Sequence, residues 1–191
     1  MGLRLSLHRE KPQIVELLEE RSIDHWQYFR FEVPDSQKIM ASSKKDINIY
    51  NYKSLNLGKY WDMFVYTISD SYRNQVKTDN IDVSRSSIKS HEFWAVIGAQ
   101  IMDYETGKNL PLRHSTSRQV KNIFESIKNI DYDEISHHDD IDIMNHLGIY
   151  TCGSGTSSYK WDRIYRAILD RLKMHYKVAS ERNEVMIHEW V

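Results

Sequence analysis

The two ends of the chain carry the same pattern. Leu3, Leu5 and Leu7 alternate with Arg4, Ser6 and His8, and at the other end Val185, Ile187 and Glu189 alternate with Met186, His188 and Trp190. A period of two is that of a strand with one face buried. Strands at both ends with helical spacing between them predict an α+β fold. At 191 residues the expectation is a single compact domain over residues 1–191, a small mixed sheet that includes the N- and C-terminal strands and is packed against several helices.

The helical spacing is clearest after Thr116, where Thr116 and Gln119 have the separation of a capping box and Val120, Ile123, Phe124 and Ile127 fall on one stripe. A long helix is predicted from about Tyr159 to Arg182, with Trp161, Tyr165, Ile168, Leu172, Tyr176 and Ala179 in step. Pro12 suits a first helical turn, and Ile14, Leu17 and Leu18 follow it. With Asn56 as its cap, a further helix is expected to carry Trp61, Phe64, Val65 and Ile68. Ile47, Ile49 and Asn51 alternate as another strand would, residues 23–46 have no clean period, and residues 70–92 read as a polar surface excursion. Trp61, Phe64, Val120, Phe124, Trp161, Ile168 and Leu172 are expected to share one core, with Trp26 and Trp190 as exposed anchors.

Composition narrows the function. Lys and Arg number 26 against 27 Asp and Glu, so there is no basic field to draw nucleic acid or anionic lipid. Phe93 to Met102, the longest largely apolar run, is about half the ~20 residues of a membrane span. Neither a signal peptide nor a cofactor motif is read from the sequence, and no cofactor is expected. Cys152 is the single cysteine, which suits a reducing cytoplasmic location.

The chemically loaded stretch is IDYDEISHHDDIDIMNH, six acids and three histidines without Lys or Arg. On a continuous helix His138, Asp142 and His146 would share a face and could ligate zinc or iron, with Asp139 as a general base. The alternative is two short helices with solvated acidic caps, which Ile141, Ile143, Met144, Leu147 and Ile149 also explain. TCGSGTSSYK, at 151–160, has the glycines of an anion-binding loop but not the ending of a P-loop, and its Cys152 would need a nearby base to act as a nucleophile. Arg163, Arg166, Lys173 and Lys177 form a basic face on the last helix, read as solvated.

Several patches resemble the YfbM-like family of bacterial proteins, a domain of unknown function. They are the opening MGLRLSLHREKPQIVELL, the helix with Leu55, Leu57, Lys59 and Trp61, the start STSRQVKNIFESI, the acidic stretch running into GIYTCG, and the closing RLKMHYKVASERNEVMIHEW. Two departures from the family pattern stand out: Phe64 and Val65 stand where a Leu-His step is usual, and Ser117 where Pro is. The resemblance implies a compact bacterial α+β domain and no established activity.

The function expected from these features is a non-enzymatic cytosolic protein-binding module, such as the antidote or immunity partner of a toxin. Asp139, Asp140 and Asp142 would border the site facing a basic protein, with Tyr150 and Trp161 as apolar anchors. The alternative is a small metal-dependent hydrolase or nucleotide-handling enzyme. Oligomeric state is left open.

Overall fold

A computed structural model describes residues 4–41, 52–78, 82, 88–105, 111–138, 140–151 and 158–190, and for Trp26, residues 103–105 and residues 158–161 the backbone alone. The terminal strands pair with each other at the centre of the sheet. β1 (Leu5–Glu10) lies antiparallel to β6 (Val185–Trp190), with Leu5 opposite Trp190 and Glu10 opposite Val185. Outward from β1 come β3 (Ser54–Gly58), antiparallel, and β2 (Lys38–Met40), parallel to β3. Outward from β6 come β5 (Pro111–Ser115) and β4 (Gln100–Glu105), both antiparallel. The strand order β2-β3-β1-β6-β5-β4 makes a six-stranded mixed sheet.

One face carries Leu5, Leu7, Leu55, Leu57, Met186 and Trp190 and packs under α3 (Trp61–Ile68), α5 (His91–Ile97), α6 (Ser117–Ile127) and α9 (Ser158–Glu181). The opposite face carries a smaller apolar cluster, in which Leu112, Val185 and Ile187 meet Val15 and Leu18 of α1 (Pro12–Glu19). Met102 of β4 joins that cluster, as do Phe29 of the π-helical turn Tyr28–Glu32, which follows α2 (His25–Gln27), and Val33 at the end of that turn. This is the α+β architecture the terminal strands predict.

Local chemistry sets the element ends. In α6 the Thr116 hydroxyl accepts from the Gln119 N–H at 3.3 Å while Gln119 Oε1 accepts from the Thr116 N–H at 2.9 Å, the reciprocal box expected from the sequence. At the end of α9, Asn183 takes a left-handed φ of 55°. The Glu184 N–H then donates to Ala179 and the Asn183 N–H to Ser180, a Schellman closure that turns the chain directly into β6.

Four expectations are corrected. Residues 54–58 form β3 rather than a helix start, because Leu55 and Leu57 are buried beside β1, and the helix begins at Trp61. The described part of residues 70–92 is not simply a surface excursion: α4 (Asp70–Val76) starts at a Ser69 cap, and Tyr72, Arg73 and Ile88 are buried; residues 79–81 and 83–87 lie outside the described residues. Trp190 is not an exposed anchor, since the strand register places it opposite Leu5, where it packs edge-on against Trp61 at 4.6 Å. Phe124 is only partly buried at the rim of the core, which Trp61, Phe64, Val120, Ile168 and Leu172 share. The strand expected around Ile47 lies outside the described residues, as does the side chain of Trp26. Among the described residues no helix is long and apolar enough to cross a membrane.

Candidate functional site

Residues directly opposite on antiparallel strands share a face. Ser6 stands opposite both Asn56 and Glu189, and His8 opposite Ser54. One half of the sheet, on the face away from the main core, is therefore polar across three strands. In parallel register, Lys38 of β2 is beside Ser54. These residues, together with Phe29 and Arg30 from the π-helical turn, line a cavity of about 250 Å³.

His8 is fixed from three sides. Its Nδ1 is 2.7 Å from Ser54 Oγ and its Nε2 is 3.1 Å from Glu189 Oε2. The Phe29 ring stacks on it with centroids 3.9 Å apart and planes 18° apart. Ser54, His8 and Glu189 are each no more than 5% exposed. An ionised carboxylate only accepts hydrogen bonds, so Nε2 carries the ring hydrogen in the neutral tautomer. Nδ1 then presents a lone pair, and the Ser54 hydroxyl donates to it. Asn56 Oδ1 accepts from the Gly58 N–H at 2.6 Å, which leaves Nδ2 as the donor it can offer a ligand. Lys38 Nζ is held by the Arg30 carbonyl and Asp35 Oδ1, both at 3.1 Å.

Beyond His8 on the same strand, charges are paired rather than open to a ligand. Glu10 accepts from the Tyr28 hydroxyl at 3.1 Å and faces Lys53 Nζ at 3.5 Å. Burial together with Glu10 raises the Tyr28 phenol well above its ordinary range. Arg9, buried on the other face, lies 3.7 Å from Glu184, and burial lowers its pKa against the opposing pull of that carboxylate.

The acidic stretch folds as two short helices. Asp131 caps α7 (Tyr132–Ile135) by accepting from the Asp133 N–H at 2.9 Å. Asp140 caps α8 (Ile141–His146), accepting from the N–H groups of Asp142 and Ile143 at 2.9 and 3.0 Å. His138 belongs to the separate 3-10 turn Ser136–His138. The new start at Asp140 removes the single helical face on which His138, Asp142 and His146 would have met. Among the described residues no group of three or more His, Cys, Asp or Glu side chains is arranged to hold a metal ion. Partial burial, then Arg73, His137 and Lys77, holds His138 down at about 4.

The acids and the basic helix face also meet each other. Arg166 donates to both Asp133 oxygens and lies 4.9 Å over the Tyr132 ring, and Lys173 donates to the Ile130 carbonyl. The basic face is thus partly a set of ties to α7. Tyr150 is 41% exposed while its N–H donates to buried Asp62. Asp139, Cys152 and the loop glycines lie outside the described residues, and of Trp161 the backbone alone is described, in α9. Asp140 and Asp142 are exposed at the start of α8, and Tyr150 is exposed four residues after its end.

The sheet cavity was missed in the sequence because polar residues alternating along a strand ordinarily face water. The available signal was Ser6 and His8 in β1 repeated by Ser54 and Asn56 in β3, two polar faces that stay silent until the strands are paired.

Comparison with known proteins bears on the fold. The structure is similar to that of YfbM from Escherichia coli, a protein of unknown function, with a TM-score of 0.61 over 99% of each chain at 13% sequence identity. Among curated proteins no match is found. The sequence profile of a domain of unknown function, DUF1877, matches residues 1–188. The chain therefore belongs to the DUF1877 family.

Proposed function

We propose that the protein binds a small polar molecule in the cavity between the β2-β3-β1-β6 half of the sheet and the Tyr28–Glu32 turn. The observation that carries this reading is His8, held by Ser54, Glu189 and Phe29 at the cavity wall. Concave sites that combine an apolar wall with a few fixed polar groups are where small ligands bind. Here Phe29 supplies the wall, and Ser54, Asn56 and Lys38 supply directed polar groups. Titrating the labelled protein with a panel of small amides, carboxylates and phenols should shift the His8 ring and Asn56 side-chain NMR signals saturably. If no compound moves either signal, the cavity is not the site.

A second reading has its own support. Ile143 and Tyr150 are 49% and 41% exposed within a stretch that also exposes Asp140 and Asp142, a mixture of apolar and acidic side chains that suits a contact surface for a basic protein. In this reading the chain is an antidote-like binding module acting in the cytosol, where its single cysteine is at home. Salt-dependent association with a basic partner, such as a toxin, is its signature.

A further inference from the structure

We propose that the sheet cavity carries out acyl transfer on small carboxylic esters, with Ser54 as the nucleophile and His8 as its general base. The inference rests on the cavity being a ligand site and names the chemistry done there. Its support is the direction of the hydrogen bonds. Glu189, on one flanking strand, fixes the hydrogen on His8 Nε2, so Nδ1 takes the Ser54 proton on the other flank, at 2.7 Å. A serine, a base in reach and a carboxylate orienting that base are the parts of an activated hydroxyl nucleophile, recognised by roles rather than by chain order. Ser54 and His8 both line the cavity.

The step balances without any further reactant. Ser54 Oγ attacks the ester carbonyl carbon as its proton passes to His8 Nδ1, and Glu189 stabilises the imidazolium. Asn56 and Lys38 are among the residues that line the same cavity, and their amide and ammonium N–H groups would be the donors to the tetrahedral oxyanion. The carbon–oxygen bond of the leaving group breaks, and the departing alkoxide takes the proton from Nδ1 to leave as alcohol. Water then attacks the acyl-serine, giving its proton to Nδ1, and the carboxylic acid leaves as Ser54 is reprotonated. A cavity of about 250 Å³ with Phe29 along one side favours a short, apolar acyl group.

A fluorophosphonate probe tests this, because Ser54 would displace fluoride and keep the phosphonyl group. The expected result is one adduct per chain, mapped by mass spectrometry to Ser54, together with turnover of p-nitrophenyl acetate. Ser54→Ala, which removes only a hydroxyl, should abolish both with its melting temperature little changed. His8→Gln should slow labelling at least about 100-fold, the usual scale for a lost general base. Glu189 is a positioning residue, and Glu189→Gln should displace the pH profile of the labelling rate rather than merely lower protein stability. Absence of an adduct on Ser54, or labelling as fast in His8→Gln as in the parent, overturns the proposal. A non-reactive probe, N-methylbenzamide, separates the two readings. NMR shifts at His8 without labelling sink acyl transfer and leave binding standing, whereas neither shifts nor labelling sinks both.

Discussion

The Asp62 carboxylate, in α3, accepts a hydrogen bond at 2.8 Å from the backbone N–H of Tyr150, which lies 88 positions later in the chain. The Tyr72 hydroxyl donates to the other oxygen at 3.1 Å. Asp62 is thus the buried post to which the segment after α8 is tied. Burial raises its pKa, opposed by these two bonds.

Replacing Asp62 by Ala would leave a backbone N–H and a buried hydroxyl without an acceptor, a loss of about 1 to 3 kcal/mol for each such group. The expected outcome is a lower urea midpoint and faster hydrogen exchange at the Tyr150 amide. An Asp62→Ala protein with a parental midpoint would show that the tie does not hold the segment.

Acid should unfold the protein through its buried histidines. His188 is held at about 3 mainly by burial, with Arg113, His114 and His8 adding to it against the Val96 carbonyl. His114 is held at about 4 by burial and Arg113. Folded values below the unfolded 6.5 mean that the unfolded chain takes up protons first. Their contribution is therefore intact above pH 6.5 and is lost as pH falls toward 4 and then 3. His114 alone accounts for up to about 3 kcal/mol, at 1.36 kcal/mol per unit. Urea midpoints measured from pH 7 to pH 4 should fall steadily, and less steeply in His114→Gln; equal slopes would contradict the assignment.

Gly98 should tolerate no side chain. Its φ of 92° with ψ of 148° is closed to L residues, and an added Cβ would stand 2.8 Å from His188 Cδ2 and 2.9 Å from Arg113 Cβ. Backbone strain and overpacking, each about 1 to 3 kcal/mol, predict that Gly98→Ala lowers the melting temperature markedly. A parental melting temperature would mean that the α5-β4 turn relaxes without cost.

The main core was legible wherever one residue's spacing decided its face. Val120, Ile123 and Ile127 are fully buried as their stripe implies, and the Thr116–Gln119 box starts their helix where expected. What was not legible depended on partners. β3 holds only five residues and reads as a helix approach until β1 is set beside it. The cavity needs three strands in register before Ser54, His8 and Glu189 meet. The acids at 131–142 could be seen as caps or as ligands, and the choice turned on Asp140, whose side chain captures two backbone N–H groups and so starts a new helix.

The position of Phe124 at the rim makes a graded prediction. Ile123→Ala should cost about 2 to 5 kcal/mol, as for a fully buried aliphatic side chain, whereas Phe124→Ala, at a partly buried site, should cost less despite its larger ring. Chemical denaturation of the two variants checks the order. A larger loss for Phe124 would mean that α6 is rotated from the face described.

The acidic surface can be tested only if its structural and contact roles are kept apart. Asp140 caps α8 through two backbone bonds, so Asp140→Ala should cost about 1 kcal/mol whatever the surface does. Asp142 makes no side-chain hydrogen bond among those described, and its side chain is exposed. Asp142→Lys should therefore leave the urea midpoint nearly unchanged, apart from a modest loss of first-turn charge favourable to the α8 dipole. If α8 faces a basic partner, the same substitution should slow association and flatten its dependence on ionic strength, since charges at a rim act on encounter more than on lifetime. Stopped-flow association at low and high salt reads this directly. An unchanged on-rate for Asp142→Lys, with folding intact, would remove α8 from the contact surface.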